Sequence, residues 1–261
     1  MTRTYIVTGS ASGIGAATAN LLKEAGNKVI GVDLRNADVE GDLSTPEGRS
    51  AAVAKVLDLS GGTVDAVIAC AGISAPAPIT VAVNFFGVTD FLTALAPVLA
   101  KSSAPRAAVV SSMASLQPNS PELVEALLAG SEEEALRIGK ELADKGPQTG
   151  YLNYPSSKRA LSRWVRRESI TPAFAGAGIP LNAVAPGTVL SAMTRELLAT
   201  PESRAMVDEN VPMPLNGHSE PEVIARLLIW LTSEENTHTT GQTIYTDGGA
   251  DATLRGDDIW S

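Results

Sequence analysis

Two side chains four positions apart, Tyr154 and Lys158, have the types and spacing to move a proton together. Residues i and i+4 share one face of a helix, so the phenol and the ammonium point the same way. An unperturbed tyrosine loses its proton near pH ~10, and a neighbouring ammonium favours the phenolate, so a lowered phenol pKa is expected. Such a phenol can take a proton from an alcohol as hydride leaves its carbon, or return one to a carbonyl. Tyr151 has no equivalent partner, because Pro155 stands four residues on. Ser111 and Ser112 close an apolar, β-rich run, where a hydroxyl could hold a substrate oxygen or simply cap backbone groups. Asn84 lies in the apolar stretch Val83-Asn84-Phe85-Phe86-Gly87. A buried amide there needs partners, and a structural water or a proton relay would supply them.

Hydride chemistry requires a carrier, and the first turn of the chain offers it a place. Thr8-Gly9-Ser10-Ala11-Ser12-Gly13-Ile14-Gly15 lies between an apolar run and a helical segment. Glycines there permit a tight turn and close approach of backbone amides to a pyrophosphate, with the positive helix end behind them. The spacing is G-x-x-x-G-x-G and not G-x-G-x-x-G, so a purely structural turn is the competing reading. Asp33 ends the second run, where a carboxylate can accept from ribose hydroxyls and repel a 2′-phosphate. That favours NAD over NADP, softened by Arg35; helix capping is the plainer alternative for Asp33. Asp42-Leu43 and Cys70-Ala71-Gly72 are placed on the same rim.

The elements that must position these residues follow from periodicity. Apolar runs at Tyr5–Thr8, Lys28–Val32, Ala66–Cys70, Ala107–Ser111, Leu181–Ala185 and Thr243–Tyr245 read as strands. Helical spacing covers Ile14–Ala25, Val81–Ala100, Ser156–Ser169 and Pro221–Leu231. The alternation predicts an α/β fold: a single doubly wound, Rossmann-type domain over 1–261, its parallel sheet covered by helices on both faces. Residues 117–150 are too long for a bare connection and predict two inserted helices, the second opened by a capping box at Ser131-Glu132-Glu133-Glu134. Residues 188–217, rich in Leu, Met and Pro, predict a mobile apolar flap over the strand ends.

Composition narrows the function classes. The chain has 261 residues, 44% hydrophobic and 19% charged, with a net charge of −9, which argues against nucleic acid or an anionic membrane as partner. The uncharged run 66–89 is interrupted by Gly72, Pro76 and Pro78, so no membrane helix is expected there. One cysteine, Cys70, excludes a disulfide framework, and no metal motif is present; His218 and His238 read as surface residues. An opening that reads as strand and glycine turn, with no signal-peptide pattern, makes the cytoplasm the expected compartment.

Together these residues resemble the short-chain dehydrogenase/reductase family over essentially the whole chain. The resemblance rests on Thr8-Gly9-x-x-x-Gly13-Ile14-Gly15, Asp33, Asp42-Leu43, Ala71-Gly72, Asn84, Ser111-Ser112, Tyr154-x-x-x-Lys158, Pro186-Gly187, Gly241-Gln242 and Asp247-Gly248-Gly249. It implies a catalytic tetrad: Asn84 for a water relay, Ser112 to orient the substrate oxygen, Tyr154 as acid/base, and Lys158. It implies NAD held by Gly9, Ser12, Gly13, Ile14, Gly15, Asp33, Asp42, Leu43, Ala71, Gly72, Tyr154, Lys158, Gly187 and Val189. It also implies a homo-oligomer, dimer or tetramer. Three departures stand out: Cys70 replaces the family's usual Asn, only residues 34–41 separate Asp33 from Asp42, and the 117–150 insert lengthens the serine-to-tyrosine interval. The last two are similar to a bacterial hydroxysteroid dehydrogenase/carbonyl reductase branch. The expected activity is NAD-dependent interconversion of a bulky apolar secondary alcohol, hydroxysteroid-like, and its ketone. A cyclic monoterpenol or aryl alcohol is the alternative substrate, and a non-catalytic NAD(H) sensor is the alternative of another class.

Overall fold

Crossing helices make the sheet parallel, and the computed structural model, which describes residues 2–259, shows them in order. β1 (Thr4–Thr8), α1 (Gly13–Glu24), β2 (Lys28–Asp33), the two-residue β3 (Val39–Glu40), α2 (Pro46–Ser60) and β4 (Ala66–Ala69) form the first part. The short α3 (Ile79–Val81) passes through a π-helical turn at Ala82–Phe86 into α4 (Gly87–Leu99). β5 (Arg106–Val110) leads to α5 (Pro121–Leu128), α6 (Glu132–Asp144) and α7 (Pro147–Gly150), the helices of the insert. α8 (Asn153–Glu168), β6 (Leu181–Pro186), α9 (Pro201–Asn210), α10 (Pro221–Leu231), β7 (Thr243–Thr246) and α11 (Ala250–Arg255) follow.

The seven strands run in the order β3-β2-β1-β4-β5-β6-β7, all paired in parallel. The order reverses between β1 and β4, which opens a crevice at the carboxyl ends of the strands. Alternate residues on each strand feed two apolar layers, as the pleat dictates. Ile6, Val67 and Val109 pack with Phe91, Leu95 and Leu161 of α4 and α8. Tyr5, Ile68 and Val110 pack with Leu22 of α1 and Ile224 and Leu228 of α10. Trp164 sits in the first layer, edge-on to Phe174 with ring centroids 6.0 Å apart.

Several local features differ from the periodicity reading. β3 is a seventh strand, too short to show alternation, held by Val32–Val39 pairing. α2 carries only a weak apolar stripe, yet its ends are well specified: Thr45 Oγ1 accepts the Gly48 N–H at 3.1 Å, Pro46 opens the first turn, and Gly61 closes it in the left-handed region. No helix forms in residues 34–41, as the short interval predicts. The insert contains three helices instead of two. The capping box at Ser131 does not form: Ser131 makes no side-chain cap bond, Glu134 is taken by Arg137, and Glu132 reaches Arg49. The run 66–89 divides into β4, a loop holding Gly72, Pro76 and Pro78, and a helix starting at Ile79. The stretch Ile79–Leu99 has the length and apolarity of a membrane span, but 72% of it is buried inside the domain, so its apolar surface is core.

Arg49 ties the insert to the rest of the molecule. Its buried guanidinium faces Asp90 of α4 at 3.0 Å and Glu132 of α6 at 2.5 Å. Arg49→Ala leaves two carboxylates facing one another and is expected to lower the unfolding free energy by about 1–3 kcal/mol, less than for a fully buried pair because Asp90 meets solvent. Urea denaturation would show the fall, and hydrogen exchange should rise first in α6; an unchanged midpoint would mean the tie contributes nothing.

Candidate active site

The glycine turn is held by backbone contact. Gly9 adopts φ +69, and a Cβ there would lie 2.8 Å from the Ala71 nitrogen. A Cβ on Gly15 would lie 2.1 Å from the Gly9 carbonyl oxygen. The end of β1, the end of β4 and the first turn of α1 therefore meet with no room for side chains. Gly13, at φ +52, faces the flap. Ser12 caps α1 without a side-chain cap bond, leaving its hydroxyl uncommitted at the helix's positive end. Asp33 Oδ2 accepts the Ala11 N–H at 2.9 Å and Oδ1 the Leu34 N–H at 2.7 Å. The carboxylate thus fastens the turn and keeps acceptor capacity for a further donor.

This turn forms one end of a cleft of about 480 Å³. Gly9, Ser12, Gly13, Ile14, Gly15, Asp33, Asp42, Leu43, Ala71, Gly72, Gly187 and Val189 line it, with Ser112, Tyr154 and Lys158 at its other end. All those positions are thus gathered on one rim. Bare backbone at the turn, a helix terminus beside it and an acidic side chain on β2 suit a dinucleotide's diphosphate and ribose. The Ser44 hydroxyl first, and then its N–H, which Asp42 Oδ1 accepts at 2.9 Å, hold the Asp42 carboxyl below the usual range. At Gly187 the missing side chain makes room for packing: a Cβ would lie 2.8 Å from Met213 Sδ. Burial pushes the Cys70 thiol up to about 12, against the influence of Thr18 and Lys158, so it stays neutral and unreactive.

Tyr154 and Lys158 share the first turns of α8 and face the cleft, the ammonium nitrogen 5.9 Å from the phenol ring centre. Their electrostatics differ from the expectation. Burial raises the Tyr154 pKa, partly offset by a hydrogen bond with Ser112, and it lowers the Lys158 pKa to about 8, with Cys70 opposing. Loss of water disfavours both charged forms and is the largest influence on each. Lys158 Nζ donates to the Val110 carbonyl at 2.8 Å. Ser111 turns inward to Ser162 Oγ at 2.7 Å and to the Lys158 carbonyl, so Ser112 is the one beside the phenol.

Asn84 is fully buried in the π-helical turn and does not line the cleft. Its Oδ1 accepts the Ile73 N–H at 2.8 Å, and its Nδ2 donates to the Ile73 carbonyl at 2.9 Å and to Ser157 Oγ at 3.3 Å. Protein groups thus supply partners for this buried amide. Ser157 in turn donates to the Tyr154 carbonyl at 2.7 Å. Ile73 and Ser157 belong to the site although the sequence reading passed over them. Ser157, beside Lys158, was the available signal. Of the apolar flap residues, Val189, Ala192 and Met193 line the cleft; Leu190, Leu197 and Met206 are exposed, and Met213 is packing. His218 bonds Asp208 Oδ1 at 2.7 Å, and His238 bonds Thr237.

Comparison with known proteins decides the family. Residues 3–124 match the short chain dehydrogenase family model, and residues 138–251 match one described as Enoyl-(Acyl carrier protein) reductase. The chain is 36% identical over 255 residues to a 3-alpha-hydroxysteroid dehydrogenase/carbonyl reductase of Comamonas testosteroni, covering 96% of this chain and 97% of that one. The chain belongs to the short-chain dehydrogenase/reductase family. A crystal structure of the 3-alpha-hydroxysteroid dehydrogenase from Pseudomonas sp. B-0831, complexed with NADH, superposes with TM-score 0.89 at 39% identity, covering 98% of this chain and 100% of that one. A glucose 1-dehydrogenase of Gluconobacter oxydans is 28% identical, covering 97% and 92% of the two chains. The chain is thus a short-chain oxidoreductase with the family's nicotinamide-binding fold, and Gly9 and Gly15 make the turn where that fold opens. Gly15→Ala is expected to weaken nicotinamide dinucleotide binding at least tenfold, because the Gly9 carbonyl has nowhere to go. Fluorescence titration with the reduced dinucleotide checks this, and unchanged affinity would remove the turn from the binding site.

Proposed function

We propose that this chain is an NAD-dependent dehydrogenase that interconverts a bulky, apolar secondary alcohol and its ketone, a hydroxysteroid being the leading substrate class. The observation that carries it is an apolar mouth beside the phenol. Ile79 is 49% exposed and Met193 46% exposed, yet both line the cleft, as does Val83. Large apolar groups left facing an open cleft suit a ligand that covers them, not a sugar or a charged acid. The names of the Comamonas and Pseudomonas relatives agree with a steroid. A cyclic monoterpenol or an aryl alcohol would satisfy the same apolar walls.

When bound, the nicotinamide would donate or accept the hydride. The chain's own residues supply the rest. Ser112 orients the substrate oxygen toward the Tyr154 phenol, and Tyr154 gives a proton to that oxygen or takes one from it. Lys158, while protonated, would favour the phenolate, and it would hold the cofactor's ribose. Asn84 acts by bracing Ile73 and Ser157, so that the backbone around Tyr154 is fixed from behind. Gly9, Ser12, Gly13, Ile14 and Gly15 would receive the diphosphate, Asp33 the adenosine ribose, and Asp42, Leu43, Ala71, Gly72, Gly187 and Val189 the remaining rim. Val223 and the 42%-exposed Trp230 on α10 leave an apolar surface suited to a homo-oligomer. The sensor reading is disfavoured by the phenol–ammonium pair, which binding alone does not require.

Tyr154→Phe is expected to cut kcat by about 10²–10⁴-fold on a ring alcohol while the NADH dissociation constant stays within twofold. Equal turnover by the variant would remove Tyr154 from the reaction, and NADH binding without turnover of steroid, terpenol or aryl alcohols by the wild type would bring the sensor forward. The pH profile has a definite sign. Oxidation needs the phenolate and should rise as pH increases, whereas reduction needs the phenol and should fall. Because burial raises the phenol, both limbs should lie on the alkaline side. For cofactor choice, Asp33→Ser is expected to raise the NADP-to-NAD ratio of kcat/KM at least tenfold. The ratio is the informative quantity, since Asp33 also fastens the turn through Ala11.

A further inference from the structure

One side chain beside the phenol bonds two helices of the insert. Asn153, the first residue of α8 and fully buried, stands immediately before Tyr154. Its Nδ2 donates to the Gly139 carbonyl of α6 at 3.0 Å and to the Gly150 carbonyl of α7 at 2.9 Å. Two carbonyl acceptors fix the orientation of the amide, since the opposite rotamer would place oxygen against oxygen. Both partners are glycines for a steric reason. A Cβ on Gly139 would lie 2.4 Å from Asn153 Oδ1, and one on Gly150 would lie 2.7 Å from the Pro76 carbonyl. The same two helices therefore press on the loop after β4, whose Ile73 backbone grips Asn84.

We propose that Asn153 is a positioning residue for Tyr154, and that α6 and α7 of the insert form the platform from which it sets the acid/base phenol. The start of α8 has no side-chain cap of its own, Leu152 occupying that position. Its place relative to the cleft is instead set by Asn153 below, by Ser157 behind, and by Ser156 Oγ, which accepts the Ser120 N–H at the head of α5 at 2.9 Å. A group one residue from the phenol and locked to two separate helices limits how far the phenol can shift or admit water. An error of about 1 Å in such a group is enough to cost a large factor in rate. The proposal rests on Tyr154 being the acid/base, so its test includes a readout that needs no substrate.

Two variants carry that test. Gly139→Ala adds a methyl against the amide oxygen and must turn Asn153 without altering any cleft residue. Asn153→Ala removes both bonds. Each is first checked for wild-type circular dichroism, so that rates and titrations are compared below the unfolding transition; Gly139→Ala serves if Asn153→Ala does not fold. Expected results are a kcat at least tenfold lower on a ring alcohol, KM and NADH affinity within twofold of wild type, and a shifted phenol. Tyrosinate absorbance, taken as the difference from the matching Tyr154→Phe protein, should titrate at lower pH than in the wild type, because admitted water relieves the burial that raises it. A folded Gly139→Ala protein with wild-type kcat and wild-type tyrosinate titration overturns the proposal and leaves Asn153 as packing. Wild-type protein that turns over no alcohol overturns the proposed function alone, and the tyrosinate titration still decides whether Asn153 positions the phenol.

Discussion

A positive charge buried at the end of a parallel sheet governs how this site is put together. Lys158 is enclosed almost completely, and its ammonium meets the Val110 carbonyl at the tip of β5. Enclosure costs the charged form heavily, which is why its pKa falls to about 8. The surroundings are arranged around that strain. Gly72 packs closely here: a Cβ would sit 3.2 Å from Asn84 Oδ1, so that the amide would have to give way, and 3.5 Å from Nζ. Ser111, next to Val110, bonds the lysine's own carbonyl and so holds the helix against the strand end. The same exclusion of water raises the phenol of Tyr154. Neither group has a comfortable charge in the cleft, and an arriving ligand with hydroxyl oxygens would find an ammonium with donor capacity to spare.

What could be read from the sequence was what lies close together along the chain. The glycine turn, the Tyr154–Lys158 pair and the strand-helix alternation each depend on spacing within a few residues, and their positions on one rim follow from the topology rule for parallel sheets. The interval 34–41 was short enough to exclude a helix by counting. Other features depend on partners far away. Glu132 and Glu134 look like the start of a capping box, but guanidinium groups at Arg49 and Arg137 claim them. α2 is specified by its ends more than by its apolar stripe, so a search for periodicity missed it although Thr45-Pro46 was in view. The phenol's shift could not be read locally either: the neighbouring ammonium is a matter of sequence, the missing water a matter of fold.

The apolar residues of the flap illustrate the same division. Leu190, Met193, Leu197, Leu198, Met206 and Met213 share a segment and a hydropathy, and nothing in the sequence separates their roles. In space Met213 fills the hollow over Gly187 and Gly248, and the Thr188 N–H points at its sulfur at 3.2 Å. Met193 lines the cleft. A flexible thioether serves both purposes, packing against bare backbone in one place and facing an open mouth in the other. The segment is pinned near its start by Thr194 Oγ1, which donates to the Val189 carbonyl at 2.6 Å, so the cleft-lining part is the better anchored end.

The insert does more than lengthen the interval between serine and tyrosine. A surface addition would touch the domain through exposed side chains and could be removed at little cost. Here a buried arginine reaches it from α2, two glycines let its backbone press against the loop after β4 and the head of α8, and an asparagine next to the phenol bonds two of its helices. Contacts made through bare backbone leave little slack, because there is no side chain to turn aside. The acid/base end of the cleft is accordingly held from three sides: by β5 through Lys158, by the π-helical turn through Asn84 and Ser157, and by the insert through Asn153. The glycine-turn end needs no such support, since its turn is fixed by backbone contact between Gly9 and Gly15. One end of the cleft is therefore specified by a short stretch of sequence, and the other by long-range packing, which is where a change in the insert would be felt.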